Sequence, residues 1–191
     1  MQIRDDILEA AVDVFTRFGL RKATVGDIAE RAGVSRQTVY ARFADKDAII
    51  AATIEFLGSR CLDQTRKAWE DQHSLAAKLD AYLRHCVIDL YRIAHGSAGG
   101  WDMVIGTQPQ AREAIRFLLM KRAKALETIL SPHAKALAKH GQCPIDLAMF
   151  ISTVGDSLKH TAEDEVALKR SLDTLRASVL LLSGVSPSRG G

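Results

Sequence analysis

Residues Thr24–Lys46 read TVGDIAERAGVSRQTVYARFADK. Thr24 followed by Asp27 is a capping-box-like pair, which opens a helix over about 25–32 with Val25, Ile28 and Ala29 on its buried side. Gly33 permits a positive φ at the turn. Ser35 then caps a second short helix, about 36–43, whose buried side is Val39 and Phe43. The spacing is restrictive. Ala29 is small where the two helices cross, Gly33 falls at the turn, and Val39 fills the space between the helices, with Ile28, Val34 and Phe43 completing that core. These constraints together predict a helix-turn-helix, a hairpin suited to laying its second helix in the major groove of DNA.

Outward from this stretch the pattern is helical in both directions. Residues 3–18 place Ile3, Ile7, Leu8, Ala11, Val14, Phe15 and Phe18 on one face of a first helix, which Gly19 stops. Asp45 caps a fourth, long helix over roughly 46–70. Ser74 caps a fifth, with a stripe of Leu75, Leu79, Tyr82, Leu83, Cys86, Val87, Leu90 and Ile93, broken by HGSAGG at 95–100. A short apolar turn, WDMVIG (101–106), follows. Pro109 suits the first turn of another helix, carrying Ile115, Leu118, Leu119, Leu126, Ile129 and Leu130 on one side; Pro132 kinks or restarts it and Gly141 ends it. Pro144 and Asp146 open an eighth element, and a ninth runs from about 164 to 183. With only four prolines and no strand-like alternation, the expected class is all-α, with about nine helices.

The net charge is only +3, but its distribution is uneven. From Arg17 to Lys46 there are seven Lys or Arg against three acids, whereas residues 1–16 hold one Arg and four acids. A positive field confined to the hairpin and its flanks is what phosphate contacts require. Three widely spaced cysteines, Cys61, Cys86 and Cys143, with no CxxC, suit reduced thiols in a cytoplasmic protein. The N-terminus lacks the pattern of a signal peptide, and no apolar run is long enough for a membrane span.

With Val39 and Phe43 turned inward, the second helix of the hairpin exposes Arg36, Gln37, Thr38, Tyr40, Ala41 and Arg42. Gln37, Arg36 and Thr38 are candidates for base edges: Gln bonds adenine, Arg bonds guanine, and the Thr methyl meets the thymine methyl. Tyr40, Arg42 and Ser35, with Thr24 and Lys46 at two helix starts, are candidates for phosphates.

At this point residues 7–50, ILEAAVDVFTRFGLRKATVGDIAERAGVSRQTVYARFADKDAII, resemble the TetR family of bacterial transcriptional regulators. The resemblance is carried by the AA…F…G of the first helix, T-V-x-D-I-A-x-x-A-G-V-S, T-V-Y-x-x-F and K-D-A-I. In the family, the residues matching Tyr40 and Lys46 hold the DNA backbone, and the third helix enters the groove. The family's frequent histidine before the phenylalanine is here Arg42, which still donates. Beyond residue 60 the resemblance is architectural. It implies an N-terminal three-helix DNA-binding domain (1–50) and a larger helical domain for ligand binding and dimerisation (51–184); the tail VSPSRGG (185–191) is itself expected to be disordered.

The sequence carries its own argument for a homodimer. The ninth element has Leu168, Leu172, Leu175, Val179 and Leu182 at spacings of four and three, and the eighth has a small-residue stripe of Ala148, Ser152 and Gly155. The alternative use of both stripes is the monomer's own core. A palindromic double-stranded operator needs two reading heads. For the small-molecule effector, Tyr82, Cys86, Trp101, Met103, Phe117 and Met120 are candidate lining residues, with His85, Asp89 and His95 as polar handles, and their character points to a hydrophobic or aromatic ligand.

The enzyme reading finds no phosphate-binding Gly loop, GxSxG or HExxH, and no cofactor is expected. His85/Asp89 and Asp156/His160 lie at i,i+4, but two ligands are half a metal site, and ion pairs are the expected outcome. The function expected is a ligand-responsive repressor. The competing expectation is a chromosome-organising DNA binder without small-molecule induction.

Overall fold

The computed structural model describes residues 2–96 and 109–186; the expected apolar turn at 101–106, and most of the expected tail, lie outside the described residues. Within them the structure is helical and no strand occurs. The chain divides into two compact units. One draws on Met1–Ser59 and Arg92–Phe117, the other on Arg60–Tyr91 and Leu118–Gly191.

The first unit opens with α1 (Gln2–Lys22), α2 (Val25–Arg31) and α3 (Arg36–Tyr40). Ile7, Leu8, Ala11, Val14 and Phe15 of α1 are buried as the periodicity predicts, but Ile3 and Phe18, at the two ends of the stripe, are exposed. Gly19 breaks α1 as expected: it takes a non-helical φ of 75°, and a short helical stretch follows the kink to Lys22. Thr24 and Asp27 form the full capping box: the Asp27 N–H donates to the Thr24 hydroxyl at 3.2 Å, and the Thr24 N–H donates to the Asp27 carboxylate at 2.8 Å.

The turn between α2 and α3 is a Schellman motif. The Val34 N–H donates to the Ala29 carbonyl at 3.0 Å and the Gly33 N–H to that of Glu30 at 3.1 Å, with Gly33 at φ +67°. Ser35 caps α3 by accepting from the Thr38 N–H at 3.0 Å. α3 is shorter than expected. Arg42 bonds back three residues to Val39, so the last turn tightens and Ala41–Phe43 lead out of the helix. Val39 is fully buried and Phe43 nearly so, with Ile28 and Ala29, while Val34 is only half-buried. The Arg4 guanidinium lies 5.7 Å from the centre of the Phe43 ring, tying α1 to the residues that follow α3.

α4 (Lys46–Glu70) begins in the first unit and continues into the second. The second unit takes its core from α5 (Leu75–Leu83), a π-helical turn at Arg84–Ile88, part of α6 (Asp89–His95), most of α7 (Pro109–Leu130), α8 (Ala134–Ala138), α9 (Pro144–Thr161) and α10 (Glu165–Leu182). The π turn corrects the expectation of one unbroken fifth helix. It inserts a residue into the helical register, and the buried position expected at Leu90 moves to Tyr91. Gly155 of α9 faces this turn, where a Cβ would come within 3.0 Å of Val87 Cγ2.

The stripes expected to form a dimer face serve the chain itself. Ala148, Ser152, Gly155, Leu168, Leu172, Leu175 and Val179 are all buried within the single chain, and Leu182 is partly so. Pro132 does interrupt the helix before it, through a 3-10 turn at Ser131–His133.

Adding a Cβ at Gly33 meets no atom within 4 Å, so Gly33→Ala tests the backbone alone. The left-handed φ is expected to cost about 1–2 kcal/mol. Chemical denaturation should show a lower midpoint at an unchanged m-value; an unchanged midpoint would remove the requirement for glycine.

Candidate nucleic-acid interface

α3 is placed by what it buries. Val39 points inward, so Arg36, Gln37 and Tyr40 are exposed and Thr38 is half-buried. Thr38 is also committed locally, its hydroxyl lying 2.9 Å from that of Ser35. Arg42 is exposed just beyond the helix.

The candidates from three different elements meet at one place. An open groove of about 480 Å³ is lined by Arg21, Ala23, Thr24, Val25, Gly26, Arg36, Tyr40 and Lys46. Three of these are cations, and the groove has a mixed polar and apolar floor. The Lys46 ammonium donates to the Arg21 carbonyl at 3.4 Å, and partial burial holds its pKa below the usual lysine value. A partly desolvated ammonium at the rim of a basic groove gains from meeting an anion. Asp27, below the groove, is held under the usual carboxylate pKa first by the Thr24 hydroxyl, then by the Thr24 N–H. Its cap is therefore complete at neutral pH and weakens only as pH falls through the acid range.

Arg21 and Gly26 belong to this groove and were not singled out from the sequence. Arg21 was visible only as one of the basic residues around the hairpin. Gly26 carries a clearer role: a Cβ there would lie 2.5 Å from the Arg36 guanidinium, so the missing side chain is the space in which Arg36 rests. Arg36 is thereby drawn toward α2 and Asp27, away from the outer face where Gln37 stands.

The effector candidates are distributed differently. Tyr82 and Cys86 are fully buried in the second unit. Phe117 and Met120, three residues apart on α7, are about half exposed. Trp101 and Met103 lie outside the described residues. His85 pairs with Asp89 at 3.1 Å, and Asp156 with Lys159 at 2.6 Å and His160 at 3.8 Å. In each i,i+4 pair a His ring nitrogen lies close to a carboxylate oxygen, and among the described residues no group of three or more His, Cys, Asp or Glu could hold a metal. Burial raises the pKa of Cys61 to about 12 and also raises that of Cys86, leaving both as protonated, inert thiols.

The sequence reading missed Arg122. Its side chain is fully buried, and it interrupts the apolar stripe of α7 between Leu118 and Leu126 at i,i+4 spacing. A cation in the middle of an apolar stripe was a legible signal.

The capped hairpin, the turn glycine and the basic groove define a helix-turn-helix DNA-binding head. Residues 7–53 match the family described as bacterial regulatory proteins, tetR family. Through this segment the chain is similar to the DNA-binding part of the TetR family. An uncharacterised HTH-type transcriptional regulator of Bacillus subtilis, YvdT, is 40% identical over 62 residues, 32% of each chain. A second such regulator, from Mycobacterium bovis, is 33% identical over 75 residues, 39% of this chain and 40% of its own. The matched segments thus span well under half the length of these curated relatives. Solved structures are similar over nearly the whole chain. A transcriptional regulator from Rhodococcus superposes with a TM-score of 0.70 at 22% identity, covering 96% of this chain and 99% of its own. FadR of Bacillus subtilis, solved in complex with stearoyl-CoA, gives 0.65 at 18% identity, covering 95% and 98%. At these identities the likeness is one of fold.

Gly26→Ala is expected to leave thermal stability unchanged or slightly raised, since the obstructing atoms are the mobile end of Arg36 and alanine favours the helix. It should displace Arg36 and weaken DNA binding severalfold in a mobility-shift titration. Unaltered affinity would show that the resting place of Arg36 is irrelevant to the interface.

Proposed function

We propose that this chain is a TetR-type transcriptional repressor that binds a palindromic operator as a homodimer and is released by a small effector. The observation that carries the reading is the convergence of Thr24, Arg36, Tyr40 and Lys46 on one basic groove beside the exposed Gln37. In this reading Gln37 at the head of α3 addresses a base edge, with Thr38 beside it offering its methyl to a thymine. Tyr40, Arg42, Lys46, Thr24 and Ser35 hold phosphates, and Arg36, drawn toward α2, joins them.

One five-residue recognition helix covers too little sequence for a single site, which favours two copies on successive major grooves. Apolar side chains left uncovered on the last two helices, Phe150 of α9 and Val166 and Leu181 of α10, at 55–65% exposure, support pairing through these helices. The residues that would meet there are these, and not the buried stripes. The effector would act by binding better to a pose in which the two α3 helices are wrongly spaced for the operator. A FadR of the same fold was solved with stearoyl-CoA, which favours an effector with a large apolar body.

Selection of bound sites from a random DNA pool, repeated with candidate ligands, tests the whole reading. One or a few palindromes lost on ligand addition are expected; many unrelated sites with no ligand response would favour the chromosome-organising role. Sedimentation at micromolar concentration should give twice the 20.9 kDa chain mass, and a monomer would end the dimer claim. Lys46→Ala should weaken binding to every sequence and lower the salt slope by about one. Gln37→Ala should cost about 1–3 kcal/mol and relax preference at one base step, whereas a uniform loss would reassign it to the backbone.

A further inference from the structure

The second unit contains a cation with nothing adequate to bind. The Arg122 side chain is 0% exposed, and its Nε, Nη1 and Nη2 have no hydrogen-bond partner. Its opposed charge is Asp156, 3.7 Å away and beyond hydrogen-bonding reach. Asp156 is engaged more closely by the Lys159 ammonium, at 2.6 Å. Burial works against the charge on Arg122, yet its pKa lies above the ordinary arginine value, so it stays a cation throughout the range in which the protein works.

A second orphan donor lies within its electrostatic reach. The Tyr82 phenol is fully buried, its pKa is raised by that burial, and its oxygen has no hydrogen-bond partner. Ser152 lies close enough to this phenol to lower its pKa, while its own hydroxyl donates to the Leu119 carbonyl at 3.1 Å and keeps its lone pairs. Both donors border the π-helical turn at Arg84–Ile88, where Cys86 is buried. Turns of this kind recur at functional sites. Leaving a buried guanidinium and a phenol both unsatisfied is costly, and a purely structural core would fill this place with apolar side chains.

We infer that Arg122 and Tyr82 form the anchor for an effector carrying one carboxylate on an apolar body. A carboxylate offers two in-plane oxygens to the guanidinium fork and a lone pair to the phenol. The neighbouring Leu and Cys side chains of this core are apolar, and in this proposal the apolar body of the ligand would pack against them. A monoanion suits the site better than a phosphate dianion, because Asp156 and Asp89 already place two carboxylates in this neighbourhood. This rests on the effector-responsive reading above and adds the chemistry of the ligand's head.

The test uses the full chain and a panel of octanoate, dodecanoate, benzoate and 1-naphthoate, each paired with its primary amide. The readouts are melting temperature and release of the selected DNA site. Wild type is expected to prefer at least one acid over its amide by about tenfold or more in affinity, with the aliphatic and aromatic arms reporting which body fits. Arg122→Met should abolish that preference and raise the melting temperature without ligand, because it removes an unsatisfied charge while Asp156 keeps Lys159. Tyr82→Phe, which removes only the hydroxyl, should fold as wild type and weaken the preferred acid severalfold. Absence of acid preference throughout the panel, its survival in Arg122→Met, or a lower melting temperature for that variant alone would overturn the proposal. Release of DNA by amides and acids alike would sink the carboxylate anchor and keep the regulator. Acid binding that shifts melting but never releases DNA would keep the anchor and sink ligand-responsive regulation.

Discussion

The burial of Val39 is the constraint on which the recognition surface depends. A helix of five residues has no independent stability in water, since nucleation costs more than so few hydrogen bonds return. α3 exists because Val39 is wholly enclosed, Ser35 caps its first turn and Gly33 lets the chain reverse in a Schellman turn before it. Once Val39 is fixed, the 100° step of the helix leaves no choice about which side chains face out. Gln37 and Tyr40 are exposed for the same reason that Val39 is not.

The second unit is governed by a different balance. Its helices bury a continuous apolar core, but a guanidinium stands inside it with an ion pair too long to satisfy it. Such a residue lowers stability relative to a well-packed apolar side chain of similar volume. The π turn beside it departs from regular helical geometry in the same neighbourhood.

Most of the head was legible because its signals are local. Capping pairs, a turn glycine and an alternation of buried and exposed positions act within a few residues, and each has a stereochemical cause. The errors came where cause was not local. Ile3 and Phe18 satisfy the apolar period of α1 and still face solvent. Leu90 lost its buried place to Tyr91 through one inserted residue that the periodicity does not encode. The stripes of Leu168–Val179 and Ala148–Gly155 are packing surfaces. Whether such a surface meets its own chain or a second one is decided by the other helices.

The amino-acid order alone determined that the chain is helical, that Thr24–Lys46 forms a capped hairpin and that its charge is gathered there. Those properties follow from backbone stereochemistry and short-range spacing. Only the tertiary structure decided that Arg21, Gly26 and Lys46 share a groove with Tyr40, and that Arg122 is enclosed without a hydrogen-bond partner. Both are meetings between side chains distant in sequence. Burial and satisfaction are properties of everything that surrounds a group, and no run of residues specifies its own surroundings.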